Sequence, residues 1–151
     1  MTSAIKGRTP DYAKQFSIFT ANQLGRLREV IGVLDANSVH VLAVMVLDTT
    51  DSAIIRMITD DPDRTRELLI KHGFPYGECD MLVVELDSAT DLNRLMSALL
   101  EAELNINYLY SFIPHPGGKS LMALNMEDND IATKVLMRHQ FRVLRQSDIS
   151  R

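Results

Sequence analysis

At 151 residues, of which 46% are hydrophobic, the chain can bury one ordinary core or two small ones and is too apolar to be a disordered tail. Its 16 basic and 20 acidic residues leave a net charge of −4 and are scattered, which argues against the basic groove of a nucleic-acid binder. A single cysteine, Cys79, excludes an intrachain disulfide and a cysteine-based structural zinc site, and fits a reducing cytoplasm. The first residues lack the apolar segment of a secretion signal, and no apolar run approaches the about 20 residues of a membrane span. We therefore expect a soluble, cytoplasmic protein that engages neither nucleic acid nor membrane.

Residues 1–13, with Gly7 and Pro10 among small and polar side chains, read as a flexible lead-in. Phe16 to Phe19 are short and apolar and predict a strand. Asn22-Gln23-Leu24-Gly25 breaks the run, and Leu27, Val30, Ile31 and Leu34 then recur with the spacing of one helical stripe. Val39 to Leu47 predicts a second strand, Asp48 to Ser52 a turn, and Ala53 to Thr59 a third strand in a hairpin with the second. Asp60-Asp61-Pro62-Asp63 opens a helix with acidic residues and a proline where the first turn favours them, and Leu68, Leu69 and Ile70 give that helix an apolar side. Gly73 is its expected left-handed terminator, and Phe74 to Cys79 forms a fourth strand.

The second half repeats the first. Leu68-Leu69-Ile70-Lys71-His72-Gly73-Phe74 matches Val135-Leu136-Met137-Arg138-His139-Gln140-Phe141 at an offset of 67, from Phe74 to Phe141. Leu27, Val30, Ile31 and Leu34 match Leu92, Leu95, Met96 and Leu99 at an offset of 65, from Leu27 to Leu92. The two-residue difference falls at Pro114 to Gly118, in a hairpin, where insertions are tolerated. The second unit reads Met81–Leu86 strand, Thr90–Ala102 helix, Leu104–Ile113 strand, Ser120–Met126 strand, Asp130–His139 helix and Phe141–Arg145 strand. The expected organisation is two βαββαβ modules, 14–79 and 80–151, joined without a linker and docked on each other. Each is α+β, with an antiparallel sheet and its helices on one face.

This element order, with the loop Asn22-x-x-Gly25-x-Leu27 opening the first helix, resembles the ACT domain, a small ligand-binding module of ferredoxin-like fold. Two in tandem cover nearly the whole chain. The family commonly has proline where this chain has Leu24, and its second strand often begins Ile-Asn-Ile. Here the corresponding tripeptides are Val39-His40-Val41 and Leu104-Asn105-Ile106. The resemblance implies that modules pair side by side through the second strand and first helix, and that amino acids bind where the loop of one meets the second strand of its neighbour. Carried onto this chain, Asn22, Leu24, Gly25, Arg26 and Leu27 would form the loop side of the site, and Asn105 and Asn107 its facing wall. Gly25 would let a ligand approach the backbone. The amide groups of Leu24 to Leu27 would hold an α-carboxylate, and the Asn22 and Asn105 side chains could accept from an α-ammonium. In the second unit Asp87 and Thr90 replace Asn22 and Gly25, so one composite site per chain is expected.

Plainer roles stand beside these. Asn22 and Asn105 can each be a cap or turn residue, and Gly25 a tight-turn glycine. Tyr108, Tyr110 and Phe112 alternate as a core or dimer-face stripe. His72 and His139 suit helix C-termini, and His40 suits a local hydrogen bond. Arg56 could pair with a carboxylate of the Asp48–Asp51 turn, and the eight methionines fill core gaps. No nucleophile with a base, cofactor loop or metal cluster is readable, and Cys79 lies between Glu78 and Asp80, which would raise its pKa. We expect no enzyme, no cofactor and no metal. The leading expectation is a regulatory or sensor protein that binds a free amino acid, as a homodimer. The alternatives are a regulatory subunit of an amino-acid biosynthetic enzyme, similar to the small subunit of acetolactate synthase, and an assembly module without ligand.

Overall fold

The computed structural model describes residues 11–21, 25–114 and 118–150, so the expected lead-in lies outside the described residues except for its last three positions. The strands are β1 (Ala13–Ala21), β2 (Val41–Asp48), β3 (Ser52–Thr59), β4 (Tyr76–Leu86), β5 (Ile106–Ser111), β6 (Ser120–Met126) and β7 (Val143–Leu144). The helices are α1 (Arg26–Ala36), α2 (Pro62–Lys71), α3 (Thr90–Glu101), α4 (Asn129–Arg138) and a short α5 (Gln146–Ile149) that the sequence reading lacks. The βαββαβ pattern occurs twice, as two ferredoxin-like modules, and all strand pairs are antiparallel.

The seven strands form one sheet in the order β2-β3-β1-β4-β6-β5, with β7 also on β4. Its centre is β4. The two strands read separately from the sequence, Phe74 to Cys79 and Met81 to Leu86, are one continuous strand, because Glu78 to Leu86 holds no glycine, proline or asparagine to turn it. Tyr76 to Met81 pair with β1, and Leu82 to Leu86 pair with β6. The sheet curls until its two outer strands touch: Ala43 of β2 bridges Phe112 just past β5, and the Ile113 amide donates to the Leu42 carbonyl at 2.8 Å. A bulge falls at Val41/Ala43 and again at Ile106/Tyr108, an offset of 65 that repeats the internal symmetry in the register itself.

Alternation along the strands divides side chains between two faces. The outer face carries the helices over two cores, one built on Phe16, Ile18, Val30, Leu34 and Leu68, the other on Leu82, Val84, Leu95, Leu99 and Leu136. The inner face encloses a third core between the halves, with Ala13, Ile58, Met81, Val83, Tyr110 and Phe112. Tyr108, Tyr110 and Phe112 are thus a core stripe. Of the expected α1 stripe, Val30 and Leu34 are buried while Leu27 is 40% exposed, as is its repeat counterpart Leu92. Ile70 is no part of the α2 core face: it is 64% exposed and its counterpart Met137 63%. One of three consecutive helical residues must point outward, and in both modules it is this one.

The helix ends repeat too. After α1 to α4 the chain turns left-handed at Ser38, Gly73, Glu103 and Gln140, and the next amide bonds back to Leu34, Leu69, Leu99 and Leu136 at 2.9–3.0 Å. His72 and His139 are the C-cap residues of α2 and α4. At the other end Asp61 and Asp128 cap the same two helices, accepting from the Arg64 and Ile131 amides at 3.0 Å. Replacing either aspartate by alanine is expected to cost about 1 kcal/mol. Urea unfolding of the two variants checks this, with near-equal losses expected from the equivalent positions.

Candidate functional site

Helix α1 starts at Gly25, whose φ of 89° is a left-handed conformation that an L side chain would strain. Among the described residues, which leave out 22–24, no side chain caps this N-terminus. The amides of its first turn carry partial positive charge, and among the described residues no side chain accepts from them. Arg26 pairs with Glu29 at 2.8 Å and lies over the Phe74 ring, and Leu27 is partly exposed. Asn22 and Leu24 lie outside the described residues.

At the equivalent junction in the second module the N-cap residue of α3, Ala89, likewise makes no side-chain cap bond, and the preceding turn is tied to the helix instead. Asp91, the counterpart of Arg26 at the offset of 65, accepts from the Asp87 amide at 2.7 Å. That backbone hydrogen bond, helped by Arg94, holds the Asp91 carboxyl below the usual carboxylate range. The second junction thus uses a carboxylate to hold the turn before its helix, whereas the first has Arg26 at that position.

Asn107 occupies the bulge of β5 and donates to the Asn125 carbonyl oxygen at 2.9 Å; Asn105, just before β5, donates to Glu127 at 3.3 Å. Both bonds stay within the second module, and among the described residues none joins Asn105 or Asn107 to Gly25–Leu27. Topology nevertheless brings the two groups to one end of the sheet. β2 runs toward the end at which β1 hands over to α1, and the β2–β5 bridge is antiparallel, so β5 begins there.

His40 engages Asp60, through its amide at 2.9 Å and Nδ1 at 2.8 Å, the local role expected of it. Arg56 differs from expectation. It makes no ion pair with the Asp48–Asp51 turn, because its position on β3 opposite Ser17 and Met45 turns it to the inner face, where its guanidinium lies 4.1 Å from the Tyr108 ring centre. Beside it, fully buried Gln15 donates to the Tyr108 hydroxyl and accepts from the Tyr110 hydroxyl, both at 2.7 Å. Burial pushes the Tyr110 phenol above its ordinary value. The signal for this cluster is present in the sequence, where Gln15 and Arg56 interrupt otherwise apolar strand faces.

Cys79 belongs to the same cluster, accepting weakly from Gln15 at 3.4 Å. Burial pushes its thiol up, and Asp80 adds to the shift against the opposing effects of Gln15 and Arg56. A raised pKa leaves little thiolate, so native protein is expected to react with a disulfide reagent at pH 8 several-fold more slowly than protein in urea. The same shift favours folding below the ordinary thiol pKa and loses that contribution as pH rises through the folded value.

Among the described residues no group of three or more His, Cys, Asp or Glu side chains is placed to hold a metal ion, and no helix is long and apolar enough to cross a membrane. The sequence profile of the ACT domain pair family matches residues 12–151, and the chain belongs to that family of regulatory modules. No curated protein matches it. Among solved structures it is similar to the protein BT0572 from Bacteroides thetaiotaomicron, with 27% identity, a TM-score of 0.84, and coverage of 93% of this chain and 96% of that one. It also shares its fold with the ligand-free regulatory subunit of aspartate kinase from Thermus thermophilus, at 13% identity, a TM-score of 0.59, and coverage of 85% and 92%. A C-terminal regulatory domain described as that of an aspartate kinase from Porphyromonas gingivalis aligns at 11% identity and a TM-score of 0.51, over 86% and 93%.

Proposed function

We propose that this ACT pair is a non-catalytic regulatory protein whose modules, 14–79 and 80–151, bind a free amino acid at the start of α1. Asn22, Leu24, Gly25, Arg26 and Leu27 form the loop side, and Asn105 and Asn107 the wall at the same end of the sheet. The observation that carries this reading is the asymmetry of the two helix starts. In the second, Asp91 holds the Asp87 amide in the turn before the helix, while the first has Arg26 at that position and begins on a glycine, so its amides can take a carboxylate from outside. Binding would bias the packing or assembly of the protein only through a difference in affinity between its states.

Calorimetry of amino-acid binding to wild type, Asn22→Ala and Asn105→Ala tests the site. Weaker binding in the variants is expected, and unchanged affinity in both would overturn the assignment. The likeness to chains described as regulatory subunits of aspartate kinase gives a second reading its place, in which the protein regulates a biosynthetic enzyme as a bound subunit. Co-purification separates the two: a stable catalytic partner favours the subunit, and ligand binding by an isolated homodimer favours the sensor. The homodimer of the first reading would place a second copy on the groove between α1 and β2, where Ile31, Val41, Val44 and Ile113 lie beside Arg28, Asp35 and His40.

A further inference from the structure

The two outer strands of the curled sheet meet at only one end. At the repeat offset of 65 the Ala43–Phe112 bridge has a counterpart pair, Tyr108 and Leu47, and no such pairing occurs among the described residues. β2 and β5 therefore part toward Leu47 and Tyr108 and leave a mouth onto the inner face. Phe19 and Leu47 at its rim are 46% and 41% exposed, with the Phe19 ring resting beside Gly77. Ile54, opposite both Phe19 and Leu47, lies on the same face, and Ser17 and Met45 lie further in, level with Arg56.

Arg56 stands at the base of this mouth. Its Nε is buried and has no hydrogen-bond partner, and its guanidinium faces Tyr108 instead of a carboxylate. The nearby acceptors are engaged elsewhere: Gln15 Oε1 receives the Tyr110 hydroxyl, and Asn125 Oδ1 receives Asn107. A buried donor on a cation without an acceptor is costly, and its retention points to a group that completes it. The aromatic and aliphatic walls suit a short apolar tail. Among the described residues no carboxylate pairs with Arg56.

We propose that the mouth between β2 and β5 binds a small carboxylate with a short apolar tail, its carboxylate held by Arg56 and its tail against Phe19, Leu47 and Ile54. The guanidinium supplies planar, paired donors to the carboxylate. This site lies on the face of the sheet opposite α1, and it does not depend on the amino-acid loop.

The test is an NMR titration of the whole chain with 3-methylbutanoate, following the Arg56 Nε–H signal, with 3-methylbutan-1-ol and sodium chloride as controls. A saturable shift with the carboxylate, absent with the alcohol and the chloride, is expected. Arg56→Gln is expected to weaken binding by about tenfold or more, the loss of a charge-assisted pair. No shift with 3-methylbutanoate, an equal shift with chloride or alcohol, or unchanged affinity in a folded Arg56→Gln protein overturns the proposal. If that variant does not fold, the wild-type titration and its two controls decide. Loss of amino-acid binding in Asn22→Ala leaves this result untouched.

Discussion

Replacing Gln15 with leucine is expected to destabilise the protein by about 1–3 kcal/mol, the cost of leaving a buried hydroxyl without its partner. Gln15 is on β1 of the first module, and Tyr108 and Tyr110 are on β5 of the second, so one fully buried amide ties the halves together across the inner core. Leucine fills the volume, but it leaves the Tyr110 hydroxyl with nothing to donate to. The Tyr108 hydroxyl, half-buried, recovers water at the mouth. The double variant Gln15→Leu/Tyr110→Phe removes both ends of the critical bond and is expected to regain most of the loss. Urea unfolding of the four proteins in this cycle measures the coupling, and additivity would show that the bond does not join the halves.

Leu82→Ala is expected to cost about 2–5 kcal/mol, as a fully buried leucine truncated in a packed core does. Leu82 is fully buried in the core of the second module, yet it sits on β4 directly after the residues that pair with β1. The loss should therefore lower a single joint transition, followed alike by the tyrosines of both modules. Two separated transitions, with only the second module weakened, would mean that β4 does not couple them.

The fold was readable because its determinants are local and doubled. Helical stripes, the acidic starts of α2 and α4 and the repeat from Phe74 to Phe141 each act within a few residues, and the repeat lets each half check the other. The continuity of β4 and the curl of the sheet were not readable, since they depend on which edges meet in space, and only the Ala43–Phe112 contact shows that. The direction of Arg56 follows from the curl. On an open sheet it would face solvent beside the Asp48–Asp51 turn, whereas the curl places it over Tyr108. At the loop, the sequence showed Asp87 and Thr90 in place of Asn22 and Gly25. The Asp91–Asp87 hydrogen bond, which ties the preceding turn to the second helix, depends on side-chain geometry that the sequence does not show.

Thermal-shift screening of the proteinogenic amino acids one at a time tests whether a free amino acid binds and stabilises this protein. A ligand that binds only the folded chain raises its melting temperature progressively with concentration. A concentration-dependent rise with one amino acid or a chemically related few, reduced in Asn22→Ala, is the predicted result. No rise with any of them at millimolar concentration would contradict amino-acid binding and leave an ACT pair that serves assembly alone.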